Sequence, residues 1–398
     1  MKNNRIKIVF FLFLATNFVL FLFSFTQIDL SLTFSRINLL RNIVKSFQYV
    51  GYFNRHLSAV IFSVLVLLLF GFYFYFLRLA QKNKLDKRFV WKIILTTCVI
   101  LVFSYNAFSY DLFNYIFDAK IYTHYNLNPY LHKALDFPGD PMLSFMRWTH
   151  RVYPYGPIWL ILTVPLSYIG MNLFLPTVFL FKLLVASSFI GSLYFISKIY
   201  RKISPSKEVL GLSAFGLNPL VVVEVLVSGH LDIVMIFFSL WATYKLIEKK
   251  YIFAIVLLLI SIGVKFSTVF LLPLFIVTIF LRHKNLKDWS LFFKIATLLM
   301  IITVYFSSIY SGNFQPWYLL LPLSFAVFLY DRYYVLIPSF IFSLIALATY
   351  TPYLYLGNGE DSVTQIMYQL LIAGGVLSIL CVASYYFQRK WFASKGTI

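Results

Sequence analysis

The sequence predicts an all-α polytopic membrane protein of about 12 transmembrane helices, with a large outer loop that carries short interfacial helices. Three observations carry that expectation. The 398 residues are 61% hydrophobic and only 12% charged, with a mean hydropathy of +0.81, whereas roughly 25% of a soluble domain is charged. Apolar runs recur from end to end, many approaching the roughly 20 residues that a bilayer crossing needs. Lys and Arg gather between those runs, at Lys2, Arg5 and Lys7 and then within 78–92, 198–207, 245–250, 282–287 and 389–395.

That clustering accounts for the formal net charge of +20. Basic loops orient a membrane protein with its positive side inside, so no nucleic-acid partner is expected. Cys98 and Cys381 both lie inside apolar runs, which argues against a disulfide framework. The chain reads as one polytopic domain over 1–398, with no repeat and no separate soluble domain.

Taken in order, the first span falls near 8–25 after a basic start. No small-x-small cleavage site follows it, so it reads as uncleaved. Within the next segment, Ile37, Leu40, Val44 and Phe47 recur at helical spacing against Arg36, Arg41, Lys45 and Gln48. That pattern is an amphipathic helix anchored on the membrane surface. A span near 57–79 completes an N-terminal helical hairpin (1–90), and one near 91–108 leads to the first large outer loop, 109–171. Its last part, "PIWLILTVPLSYIG" (157–170), is apolar but about two thirds of a spanning length. Were it to cross, "KIYRKISPSK" would move outside, so it is expected at, or dipping into, the outer interface.

Spans near 172–197, 209–227 and 231–247 follow. The run 251–281 is short for two crossings, yet a single crossing would put "RHKNLK" outside, so a tight hairpin turning near Lys265 is expected. Spans near 289–309, 316–330, 333–350 and 365–387 return the basic tail to the cytoplasm. Both termini are thus expected inside, in a multi-pass protein of the cell membrane. The loops 26–56, 109–171, 228–230, 265–267, 310–316 and 351–364 are expected outside.

With that topology the polar groups converge on the outer face, beginning with "SYDLFNYIFDAKIYTHYNLNPY" (109–130). Asp111 and Asp118 are seven apart, so on a helix they share a face roughly 10 Å apart along the axis, with Tyr115 between them. Pro129 ends the segment and biases Asn128 to an extended conformation beside Tyr130. The rest of the loop carries Asp136, Asp140, Arg147, His150, Arg151, Tyr153 and Tyr155, and loops of this length are commonly functional. Asp136 and Asp140 read as solvated surface acids. Asp111 abuts the end of an apolar span, where partial desolvation raises a carboxyl's pKa and suits it to general-base work.

Partners come from other spans. Glu224 lies inside the apolar run of "NPLVVVEVLVSGHLD" (218–232), and His230 and Asp232 flank its outer turn. An ionisable group inside a bilayer is costly, so Glu224 is either a functional group or a paired structural acid. His230 and Asp232 together make only a weak metal signal, which leaves a divalent cation open. Lys265 in "GVKFS" is placed to neutralise Glu224 or to bind an anionic ligand, and Lys182 either snorkels or pairs. Gln315, Trp317 and Tyr318 in "NFQPWYLLLP" (313–322) stand where a span re-enters. They are either interface-belt aromatics or a stacking platform for a sugar ring or isoprenoid.

Carboxylates, a cation and aromatics at the outer edge suit a substrate with a lipid tail, a phosphate and a polar head. A polyprenyl-phosphate sugar is one, and its phosphate leaving group needs only a cation or hydrogen-bond donors. One base and one displacement through an oxocarbenium-like transition state predict inversion at the anomeric carbon.

The order "YDLFNYIFDAKIYTHYNLNPY", "YPYGPIWLI", "NPLVVVEVLVSGHLD", "GVKFS" and "FQPWYLLLP" resembles the GT-C superfamily of integral-membrane glycosyltransferases. More narrowly, it resembles glycosyltransferase family 87 and related polyprenyl-phosphate-mannose-dependent mannosyltransferases. The resemblance covers about 104–322 and implies a GT-C-like helical fold and a polyprenyl-phosphate mannose donor. It implies a glycan or glycolipid acceptor of the cell envelope, with Asp111 as the catalytic carboxylate. It also implies donor-side roles for Asp118, Tyr130, His230, Asp232 and Lys265. The chain departs from the pattern in reading "FDAK" where many relatives carry an acidic-Gly-basic turn, and it has no tight Asp-x-Asp. Two other functions compete. A transporter or lipid-linked sugar flippase would show inverted repeats and a midplane site, and an oligosaccharide ligase or polymerase would need basic residues for two anionic lipids.

Overall fold

The computed structural model describes residues 2–33, 37–281, 289–357 and 361–394. Arg36, the basic cluster at 282–287 and Lys395 lie outside the described residues. Among the described residues there is no strand, and the single β-like feature is an isolated antiparallel bridge between Lys133 and Val152. The protein is the expected all-α polytopic membrane protein.

The chain opens with α1 (Lys2–Ser24), the surface helix α2 (Asn38–Gln48) and α3 (Arg55–Gln81). In α2, Leu40 of the expected apolar face is exposed together with Leu39 and Ile43, whereas Val44 and Phe47 are half-buried, the Phe47 ring lying 6.4 Å from Phe25. Helix α4 (Lys87–Leu101) starts where Asp86 accepts from the Arg88 and Phe89 amides at 2.9 and 3.3 Å, satisfying two of the amides a helix start leaves open. The Phe10 and Phe89 rings meet at 5.5 Å, and Ser24 Oγ accepts from the Tyr105 amide at 2.9 Å. Helices α1 and α4 therefore run side by side in the same direction.

The outer loop contains α5 (Asp111–Thr123) and α6 (Pro157–Ile169). At 13 residues, α6 is roughly 20 Å long, short of a crossing. It buries Trp159, Thr163 and Ser167 against the rest of the protein and exposes Ile161, Tyr168 and Ile169. Gly156 at its start is packed so closely that a Cβ there would lie 2.1 Å from the Gly263 carbonyl oxygen. Only glycine fits.

Next come α7 (Phe174–Ile203), α8 (Glu208–Gly216), α9 (Pro219–Val222), α10 (Asp232–Ile247), α11 (Tyr251–Val264) and α12 (Leu271–Leu281). Then follow α13 (Trp289–Ser311), α14 (Leu320–Ala326), α15 (Tyr333–Ala348), α16 (Tyr350–Leu356) and α17 (Asp361–Ser394). Among the described residues, six helical stretches are long and apolar enough to cross a membrane alone: Asn4–Gln27, Arg55–Gln81, Phe174–Ile203, Trp289–Ser311, Tyr333–Leu356 and Ser362–Arg389. A seventh arises if Pro205–Gly216 and Pro219–Val227, bent by 54°, count as one broken span. The other expected crossings, near 91–108, 231–247, 251–266, 268–281 and 316–330, are shorter helices.

The expected hairpin at 251–281 also takes another form. Lys265 is extended (φ −151°, ψ 133°) between α11 and a tight turn at Phe266–Phe270. Helix α11 packs far more closely along α10 than along α12. The residue is a kink that frees a charged side chain rather than the tip of a close-packed pair.

Candidate active site

Four chain breaks bring the site together. The first follows α4: residues 102–110 turn, the Ser109 hydroxyl accepts from the Asp111 amide at 3.1 Å, and α5 begins at Asp111. An acid in a first helical turn also meets the positive end of the helix dipole.

The second break is in the α8–α9 segment. Asn218 accepts from the Leu220 amide at 2.9 Å, and Pro219 occupies the first turn of the new helix. The following residues, Val223–Val227, form a π-helix, a local form common at functional sites. Gly229 then takes a left-handed conformation at φ 77°, which favours glycine. The His230 amide thereby returns to the Glu224 carbonyl at 3.2 Å, and the two side chains face each other.

Lys265 at the α11 kink is the third break. The fourth is Gln315 before the turn Pro316–Leu319, which presents Trp317 and Tyr318.

At the centre, His230 is fully buried. Its Nδ1 lies 3.7 Å from Asp111 Oδ2 and its Nε2 lies 3.2 Å from Glu224 Oε2. Both approaches are within ion-pair reach, but neither nitrogen makes an aligned hydrogen bond. The Trp317 ring stacks on the imidazole at 4.0 Å, with the planes 19° apart. Glu224 takes its second partner from α16, where the Tyr350 hydroxyl donates to Oε1 at 2.9 Å. The result is one line of groups: Asp111, His230, Glu224, Tyr350.

Beside that line, Lys265 Nζ donates to Asp232 Oδ1 at 2.8 Å and lies 5.5 Å from the centre of the Tyr318 ring. The expected neutralisation of Glu224 by Lys265 is therefore corrected, since the lysine turns to Asp232 on α10. Asp232 Oδ2, Glu224 Oε2 and the Ser228 hydroxyl are buried without a hydrogen bond. Buried orphan groups are costly, which makes these three atoms candidates for contacts with a polar ligand.

The α5 face behaves as the spacing predicts. Tyr115 is buried, with its ring 5.3 Å from Tyr155 and 5.4 Å from Trp159. Burial pushes the Asp111 carboxyl above the usual carboxylate range, outweighing the opposing pull of His230 and Lys265. Asp232 adds to the rise, and Trp148 is a hydrogen-bonding neighbour that opposes it. Asp118 has no hydrogen-bond or ion-pair partner among the described residues, and burial alone lifts its carboxyl to about 8.

Other expectations separate from this centre. The Tyr130 hydroxyl donates to the Tyr155 carbonyl at 3.2 Å, and Asn128 Oδ1 accepts from the Tyr130 amide at 3.0 Å. These two organise the loop, without a hydrogen bond to Asp111, His230 or Lys265. Gln315 is half-buried at the fourth break and likewise has no such bond. Asp140, expected to be solvated, is buried and pairs with Lys120, while Tyr125 donates to it at 2.7 Å. Burial works to raise its pKa, but Lys120, the Met142 amide and Tyr125 hold it below the usual range. Asp136 stays at the surface, accepting from the Lys133 amide at 3.0 Å.

Lys182 on α7 neither snorkels nor pairs with an acid. Its ammonium donates to the Ser104 carbonyl, to Ser104 Oγ at 2.9 Å and to the Val227 carbonyl at 3.4 Å. It thus ties the chain leading to Asp111 to the chain leading to His230. Among the described residues, no group of three or more His, Cys, Asp or Glu side chains is arranged to hold a metal ion.

A family model described as "Alpha-(1->6)-mannopyranosyltransferase, N-terminal domain" matches residues 25–282, close to two thirds of the chain. No curated protein and no solved structure matches. The matched segment holds Asp111, His230, Glu224, Asp232 and Lys265, whereas Trp317, Tyr318 and Tyr350 lie beyond it.

Proposed function

The chain belongs to the alpha-(1->6)-mannopyranosyltransferase family, of GT-C type, and from that premise we propose its donor, its chemistry and the face on which it works. It is a glycosyltransferase that moves mannosyl units. The donor is a polyprenyl-phosphate mannose, the acceptor is a hydroxyl of a glycan or glycolipid, and the site opens on the extracytoplasmic side. The observation that carries this reading is the line Asp111–His230–Glu224 beside the Lys265–Asp232 pair.

Asp111 is the general base. Its carboxyl sits at the first turn of α5 with its side chain 15% exposed, open enough for a substrate hydroxyl and dry enough to be a stronger base than a solvated acid. As the acceptor oxygen bonds to the anomeric carbon, the hydroxyl proton passes to Asp111. The bond from that carbon to the phosphate oxygen breaks, and the polyprenyl phosphate leaves with the electron pair. His230 Nδ1 lies 3.7 Å from the Asp111 carboxylate, and Glu224 and Trp317 fix the ring from its other sides.

A single displacement inverts the anomeric centre, so an α-linked product requires a donor whose phosphate is β-linked. Lys265 and the Tyr318 ring flank the leaving phosphate, where a cation offsets developing charge. The α(1→6) linkage in the family's description is the linkage proposed here.

The orientation is supported by charge. Lys87, Arg88 and Lys92 lie at the start of α4, and Asp111 follows its far end, which under the positive-inside rule favours an outward-facing carboxylate. Membranes containing the protein should transfer mannose from a radiolabelled polyprenyl-phosphate donor and not from a nucleotide-linked mannose. Transfer from the nucleotide sugar alone overturns the proposed donor.

A further inference from the structure

A second feature lies at the other end of α4. Arg88 and Lys92 are one turn apart and exposed, and with Lys87, Trp91, Leu95 and Thr96 they line an open groove of about 620 Å³. Lys87 is already committed, 2.5 Å from Glu208. Arg88 and Lys92 have no acidic partner among the described residues, and Lys92 rests over the Phe10 ring at 5.6 Å. Asp86, the nearest carboxylate in sequence, is turned into the helix to cap the Arg88 and Phe89 amides. The start of α1, with Arg5 and Lys7 exposed, lies at the same end.

Below the two free cations the same helix face turns apolar. Leu95 is 44% and Val99 65% exposed at helical spacing, and Phe103, in the turn that follows α4 with its ring 5.6 Å from Phe179, is 54% exposed. From Arg88 to Val99 the rise is roughly 16 Å at 1.5 Å per residue, a length that suits an acyl chain. With α4 alongside the apolar span α1, an exposed apolar stripe of this kind suits a lipid-facing surface, with the cations at headgroup level and Trp91 where interfacial aromatics belong.

We propose that this groove seats an anionic glycerophospholipid, its phosphodiester on Arg88 and Lys92 and one acyl chain along Leu95, Val99 and Phe103. The charge is complementary, and the apolar stripe distinguishes a lipid from free phosphate. Basic pockets at span ends take anionic headgroups in this way.

The test uses the full-length protein in detergent, with native mass spectrometry and thermal unfolding as readouts. Phosphatidylglycerol should be retained and raise the Tm, while phosphatidylcholine and inorganic phosphate should not. Arg88→Ala with Lys92→Ala should weaken phosphatidylglycerol binding roughly 30-fold, the product of two basic side chains near an anionic lipid. Lys82→Ala with Lys84→Ala removes the same charge from the neighbouring turn and should leave binding unchanged. Equal retention of phosphatidylcholine, a phosphate effect equal to the lipid's, equal loss in the Lys82/Lys84 control, or undiminished binding in the Arg88/Lys92 variant overturns the proposal. If that variant fails to fold, photoreactive phosphatidylglycerol on the wild type decides: crosslinks within 88–103 support the site, and crosslinks confined elsewhere refute it.

Discussion

Replacing Asp111 with Asn separates the chemistry from the scaffold, because the two side chains have nearly the same volume. The structural cost is small. The helix loses an acid at its first turn, about 0.3–1 kcal/mol, and is relieved of a partly buried charge whose burial raises its pKa. Ser109 still accepts from the residue 111 amide, which does not depend on the side chain. The chemical cost is large. A positioned general base contributes roughly 10²- to 10⁴-fold, equivalent to about 3–5 kcal/mol of activation free energy.

The assay is mannose transfer from radiolabelled polyprenyl-phosphate mannose, with Tm and membrane insertion measured on the same preparation. The pH profile adds a second criterion. Asp111 must be ionised to accept a proton, so wild-type kcat/KM should fall as pH drops through its raised pKa, above the usual carboxylate range. The residual rate of D111N should lack that limb. Activity within about threefold of wild type, or an unchanged acidic limb, refutes Asp111 as the base.

Lys265→Ala leaves Asp232, with a side chain only 1% exposed, as an unpaired buried charge. It should cost about 3–5 kcal/mol, read by thermal unfolding, and adding Asp232→Asn should recover most of the loss. Gly156→Ala should destabilise by about 1–3 kcal/mol and slow transfer, because its Cβ would press on the Gly263 carbonyl; an unchanged Tm and rate would contradict that packing. Asp118 carries its proton up to about 8 in the folded protein, whereas the unfolded chain releases it near pH 4. Stability should therefore fall as pH rises between those values, and the Tm advantage of D118N should grow from pH 5 to pH 8. A constant difference across that range would show that the carboxyl is not shifted.

Some of this site was legible in the residues alone. Asp111 stands out because an apolar run stops at it, and Glu224 because no charge belongs inside such a run. Their partners were not legible. Glu224 and His230 are six positions apart, a spacing that points around a regular helix rather than along one face. The π-helical turn and left-handed Gly229 bring them together. Tyr350 is 126 positions from Glu224, and no local pattern links them. Lys265 was readable as a cation at a break between helices, though as a hairpin tip rather than a kink, and its choice of Asp232 over Glu224 depends on how α11 packs along α10. Asp140 looked solvated because it sits in a loop expected at the outer membrane edge, yet it is buried and paired with Lys120 of α5, 20 positions away. Lys182 was visibly odd in an apolar helix. Its partners are mostly backbone carbonyls, which every residue carries and no sequence can single out.

That lysine has a mechanical consequence. Its ammonium on α7 grips both the segment that leads to Asp111 and the segment that leads to His230. A shift of α7 is therefore passed to both residues at once, so the helix acts as a common footing for two side chains that lie far apart in the chain.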